Sequence, residues 1–306
     1  MAGYTIYGNW ANRCTVTLAT VMVAKKLDVE VVEETASLAF ALATRSGDET
    51  GPYLRTPEGF VLSDLHTMLD WVERLYPEPR LLPTTPIRGT CARLIEDWIE
   101  LWLPLWPRRS WSTIERLGAH LESAGFLLGP TPCRPDWILA AWLETEVLVH
   151  EHARVHLAKT APRLVSLGAE LLEWTRLNSQ STSSGGDGSE ARRRVDSRDA
   201  EDVIPISLLD VLEEIGNDYH AYLVENYRAC KDGADHVLLD LGLGRRAMPV
   251  RGSCEERRAE IGRGLRALSR SERHAIRQVL EPVGAWHVTT LPPVLGEVDP
   301  ADPRSL

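Results

Sequence analysis

Residues 51–77, GPYLRTPEGFVLSDLHTMLDWVERLYP, carry the most specific pattern in the chain. Gly51-Pro52 opens an extended piece through Tyr53 and Leu54, Pro57-Glu58-Gly59 supplies turn chemistry, and Phe60-Val61-Leu62 reads as a second short strand. The segment predicts a hairpin. Ser63 stands where an N-cap should, and Leu65, Met68, Leu69, Val72 and Leu75 then recur at helical spacing until Pro77 ends the run. A strand pair therefore feeds directly into an amphipathic helix.

Upstream, Tyr4-Thr5-Ile6-Tyr7 predicts a strand, the apolar run Val16–Lys26 a buried helix, and Val29-Glu30-Val31-Val32 a second strand. A right-handed crossover makes those two strands parallel. Between Glu33 and Thr50, Leu38–Ala43 forms one further helical run with Ser37 ahead of it.

Strand, helix, strand, helix, then a proline-opened hairpin, an acidic residue at the next helix start and a closing Tyr76-Pro77 resemble the thioredoxin-like domain of the glutathione transferases. The resemblance implies glutathione as co-substrate. It implies a cis Pro52, with the Gly51 N–H and C=O turned toward the tripeptide as an added strand. The family's acidic-Ser pair holds the γ-glutamyl end over a helix N-terminus. Asp64 matches the acid, Leu65 occupies the serine's place, and Ser63, one residue early, either lends a hydroxyl or only caps the helix.

The thiol-activating group of the family falls in the turn Asn9–Cys14, at Trp10, Ala11 or Asn12. None is a hydroxyl or a thiol. Free thiols ionise near ~8.5, so a donor to sulfur is what the chemistry needs, and the Asn12 amide is the candidate, helped by the N–H groups of the following helix. Trp10 would wall the site, and Cys14, two residues on, reads as a buried inert thiol or a redox one.

Beyond the Pro-rich connector 81–88, Cys91–Leu103 predicts an amphipathic helix stopped by Pro104. Leu105–Trp111 sets tryptophans beside arginines, either as an apolar wall for substrate or as core. Trp137–Leu148 is similar to the family's central helix, where Asp136 matches the capping acid and Cys133 replaces its hydroxyl. His150, His152 and His156 invite a metal reading, but Arg154 breaks the HExxH pattern, so no metal is expected. The run 179–202 is Ser/Gly-rich and then charged, a disordered linker by composition. After it, a helix over 208–231, strands at 236–241 and 246–251, helices over 253–268 and 271–280 and a strand at 286–288 predict a unit that ordinary transferases lack. Gly242-Leu243-Gly244 opens a formal dinucleotide fingerprint, yet Met248-Pro249 stands where a helix should begin, so it reads as a turn between strands.

A formal charge of -10 argues against nucleic-acid and anionic-membrane partners. Five scattered cysteines and no leader-like N-terminus point to the cytoplasm. The expectation is a thioredoxin-like α/β domain (1–80), an all-helical transferase-type domain (88–178), the linker (179–202) and an α+β extension (203–295). The activity implied by the resemblance is conjugation or exchange of the glutathione thiol with a small apolar electrophile, in a chain that the resemblance makes a possible homodimer. A non-catalytic binding or assembly role on the same scaffold is the alternative.

Overall fold

β1 (Tyr4–Tyr7) lies parallel to β2 (Val29–Val32) through the crossover helix α1 (Arg13–Ala24), and antiparallel to β3 (Tyr53–Arg55), which pairs antiparallel with β4 (Val61–Leu62). The order β2-β1-β3-β4 is the thioredoxin-like sheet. The computed structural model describes residues 3–47, 51–105, 110–181, 201–240 and 244–294. Helix α2 (Ala36–Ser46) joins β2 to β3, and α3 (Leu65–Leu75) follows β4 and packs against α1. Ile6 and Leu54 from the sheet meet Leu18 and Met22 of α1 and Met68, Leu69 and Val72 of α3, all fully excluded from water. Each such side chain contributes roughly 1.5–3 kcal/mol. The Gly51–Pro52 and Glu78–Pro79 bonds are both cis.

Three helix starts differ from their sequence readings. α1 begins at Arg13 rather than Val16, because Asn12 Oδ1 accepts from Cys14 N and Thr15 N. Thr35, not Ser37, caps α2. Asp64, not Ser63, caps α3 through Thr67 N at 2.8 Å. A carboxylate outcompetes the hydroxyl here because it sits one residue closer to the first turn and carries the charge that the helix N-terminus favours.

The helical unit comprises α4 (Pro86–Asp97), α5 (Ser110–Ala124), α6 (Arg134–Trp142), α7 (Glu151–Thr160) and α8 (Pro162–Ser181). α4 runs without a break into a π-helical turn, Trp98–Trp102, and a 3-10 turn, Leu103–Leu105, that contains Pro104; α6 continues into a second π turn, Leu143–Val147. Buried Asp136 anchors the entry to α6, accepting from Leu127 N (2.9 Å), Cys133 N (2.8 Å) and Cys133 Sγ (3.1 Å). The thiol thus takes over the missing hydroxyl's place as a donor to the acid. The connector is pinned by Glu73, which accepts from Leu81 N and Leu82 N and pairs with buried Lys25.

In the C-terminal unit, α9 (Leu208–Glu214) passes through a third π turn, Ile215–Tyr219, into α10 (His220–Asp232). The hairpin β5 (His236–Asp240) and β6 (Arg245–Pro249) precedes α11 (Gly252–Ala267) and α12 (Arg270–Leu280). The strand expected at 286–288 is instead a 3-10 turn, His287–Thr290, held by Thr289 N and Thr289 Oγ1 donating to Trp286 O. β5 and β6 pair antiparallel, Asp240 opposite Arg245; Gly242 and Leu243, where a turn was expected, lie outside the described residues. So does most of the expected linker, 182–200; its first residues, 179–181, end α8.

The unit docks on the helical layer. Trp102 lies 5.7 Å from the Tyr219 ring and 5.2 Å from that of Tyr222. Arg257 of α11 pairs with Asp97 of α4, and Asp202 caps α4 from outside by accepting from Ile87 N and Arg88 N. Gly216 is needed where the third π turn meets the chain at Val283, since a Cβ there would sit 2.1 Å from Val283 O.

Candidate functional site

The exit of β1 and the entry to β3 are forced together. A Cβ on Gly8 would stand 2.3 Å from Thr15 Oγ1 and 3.2 Å from Pro52 Cβ, so only glycine lets the turn after β1 lie against Pro52. The turn is tied by Asn9, whose Oδ1 accepts from Ala11 N (2.7 Å) and whose Nδ2 donates to Glu33 Oε1 (3.1 Å). It delivers Asn12 to the N-terminus of α1, exposed, with its Oδ1 occupied in capping and its Nδ2 without a hydrogen bond among the described residues. Trp10 stands beside it, 58% exposed.

Asp64 arrives from the other side at φ +65°, exposed, at the N-terminus of α3. The amides of Arg13, Leu65 and His66 occupy first-turn positions that have no intrahelical acceptor. Leu65 is 5% exposed and packs inward, so only its amide remains for a ligand. Ser63 is half-buried and makes no side-chain hydrogen bond among the described residues. Gly51 backs onto the Tyr53 ring and Glu34. The α1 start is thus tied to Pro52 through Gly8, while the β3–β4 register, Leu54 opposite Leu62, leads the α3 N-terminus back toward Pro52, and the Asp64 charge is felt at Cys14.

The field there is acidic. Burial pushes the Cys14 thiol up to about 12; Glu100, Glu146 and Asp64 add to the shift against the opposing Arg13 guanidinium. Cys14 is therefore a structural thiol at neutral pH. Arg13 is held away, with Nη1 on Glu146 Oε1 at 2.5 Å and Nη2 on Glu100 O at 3.3 Å.

Beneath the rim lies a charge cluster that sequence reasoning did not single out. His66 Nε2 pairs with Glu100, and the guanidinium of Arg134 takes Glu96 by its Nε and Nη2 (2.6 and 2.7 Å) and Asp70 by its Nη1 (2.5 Å). Arg93 adds a second contact to Asp70 at 2.7 Å. The charged faces of α3 and α4 were visible as patterns, but partners 38 and 64 residues apart leave no local signal.

Other candidates resolve differently. Trp111, read as wall or core, is half-buried with its ring 4.5 Å from that of His156; Trp106 to Arg109 lie outside the described residues. His156 bonds Glu115 Oε1 at 2.9 Å, His150 and His152 stack, and no group of three metal-binding side chains occurs among the described residues. No helix there is long and apolar enough to cross a membrane.

No protein-family profile and no curated protein matches the sequence. Solved structures do. A glutathione S-transferase from Rhodospirillum rubrum is similar at 19% identity over 54% of this chain and 91% of that one, with a TM-score of 0.42. The Tau class enzyme MiGSTU from mango, Mangifera indica, is similar at 16% over 55% and 88%, with a TM-score of 0.47. A glutathione S-transferase from Methylobacterium radiotolerans, solved with glutathione sulfonate, is similar at 18% over 55% and 89%, with a TM-score of 0.44. The sheet order β2-β1-β3-β4 with α3 after β4 is thioredoxin-like, and the helical layer α4 to α8 follows it.

Proposed function

We propose that the chain binds glutathione and transfers its thiol to a small apolar electrophile. The observation that carries this is the convergence of the α1 and α3 N-termini, with exposed Asn12 and Asp64, on the Gly51-Pro52 turn. The peptide backbone of glutathione lies along Gly51-Pro52. Its γ-glutamyl carboxylate takes the Leu65 and His66 amides, and its ammonium pairs with Asp64. The thiol sits at the α1 N-terminus, between Trp10 and Asn12. There the Asn12 Nδ2 and the Arg13 amide donate to sulfur, lowering its pKa so that the proton leaves to water; the thiolate then attacks the electrophilic carbon, forming the C–S bond as the carbon's leaving group departs with its bonding pair, as chloride from a chloroarene. Ser63 borders the γ-glutamyl end. The same resemblance leads to the proposal of a homodimer, read by light scattering.

Calorimetry tests the binding step. Wild type is expected to bind glutathione, and Asp64→Asn, which keeps the cap acceptor but loses the charge, to bind at least about tenfold more weakly. No binding by wild type overturns the proposal. Asn12→Asp likewise keeps the cap and removes the donor, so a fall of about tenfold in conjugation of a chlorodinitrobenzene supports its role, and an equal rate removes Asn12 from the mechanism.

A further inference from the structure

The C-terminal unit creates a cleft of about 480 Å³ against the connector and α4, well apart in sequence from the glutathione-site residues. Its size falls within the range of small-molecule sites, which favour junctions between units. One wall comes from the connector and the first turns of α4, with Leu82 and Arg93; the other comes from α11 and its exit, with Arg257, Ile261, Leu265 and Leu268.

Both arginines are held from behind and left incomplete in front. Arg93 engages Asp70 through Nη1, and its Nε and Nη2 have no hydrogen bond among the described residues. Arg257 engages Asp97 through Nε and Glu260 through Nη1, leaving its Nη2 without one. Their side chains are 26% and 12% exposed, and both line the cleft. A guanidinium fixed by a carboxylate on one edge is pre-organised to take an oxyanion on the other. Arg263 and Glu260 also lie among the described lining residues. Leu82, Ile261, Leu265 and Leu268 make an aliphatic strip beside Thr84, Thr85 and Thr90.

We infer that this cleft is a binding site for a small organic anion with an apolar body, whose acid group is taken by Arg93 and Arg257 while its hydrocarbon part covers Ile261, Leu265 and Leu268. The site is independent of the proposed glutathione site.

Titration calorimetry of the full chain with 1-anilinonaphthalene-8-sulfonate, beside uncharged N-phenyl-1-naphthylamine, tests it. One sulfonate per chain is expected, bound at least about tenfold more tightly than the uncharged analogue. A Cβ on Gly264, which lines the cleft, would meet nothing within 4 Å, so Gly264→Trp fills the space and is expected to abolish binding. Arg93→Gln is expected to weaken binding about tenfold; Asp70 keeps Arg134 at 2.5 Å, so the fold is retained. Unchanged sulfonate affinity in the two variants, equal affinity for the uncharged analogue, or displacement of the sulfonate by glutathione overturns the inference.

Discussion

The charge cluster beneath α3 and the core of the C-terminal unit each bury a histidine almost completely, and they treat it in opposite ways. His66 is 1% exposed, and burial alone would depress it, but Glu100, with Asp97 behind it, overrides that and holds the imidazole above its usual range despite Arg257. His220 is 2% exposed, neither ring nitrogen has a hydrogen-bond partner among the described residues, and burial drives it down to about 3. Burial is common to both. What differs is whether acids are supplied: α4 and its π turn supply them to His66, and no element among the described residues does so for His220. A polar group without a partner is a liability to the fold, and the same group with one becomes a joint between units.

The contrast has opposite signs in pH. Between about 3 and 6.5 the unfolded chain protonates at His220 and the native one does not, so stability falls as pH drops through 6.5. This is the largest effect, about 4–5 kcal/mol by the acid end. Urea unfolding from pH 7 to pH 4 should show it, and His220→Leu should flatten the curve; an unaltered slope would mean that His220 has a partner. Next comes Arg134→Met, which leaves buried Glu96 without its bidentate partner and is expected to lose about 3 kcal/mol, at the low end for a broken buried pair because Arg93 remains near both acids. A loss below about 1 kcal/mol would show that the cluster is solvated.

His66 acts in the other direction. Its folded pKa is raised, so the stability it contributes is complete below 6.5 and is lost as pH climbs through the folded value. Ring-proton NMR should find His66 titrating above 6.5, and Glu100→Gln should bring it down; a midpoint below 6.5 in wild type would reverse the comparison drawn here. The smallest effect concerns Cys14, whose raised pKa predicts that iodoacetamide at pH 8 alkylates it far more slowly in the native than in the urea-unfolded chain.

Local features were legible at the level of single elements. The hairpin, the start of α3 within a residue, the β1-α1-β2 crossover and the helices of both later units could be read from periodicity and punctuation, because each is decided by neighbours within about one turn. Asn12, picked out from the chemistry a thiol requires, stands at the start of α1 as its cap. The misses share one physical cause. Asp64 replaces Ser63 as cap because the chain reaches the helix with a positive φ that the sequence does not announce. The cover of Trp102 was equally silent in the sequence: Tyr219 and Tyr222, more than a hundred residues on, pack over it.

By itself, then, the sequence determined most of the strands and helices and which side-chain types stand at the N-terminal rim, since those depend on side-chain type at short spacing. The tertiary structure alone decided which buried charges are paired, which histidine stays neutral, and that the C-terminal unit closes a second cleft against α4. Those outcomes depend on desolvation and on partners that folding brings from distant parts of the chain, and neither is written in any short stretch of residues.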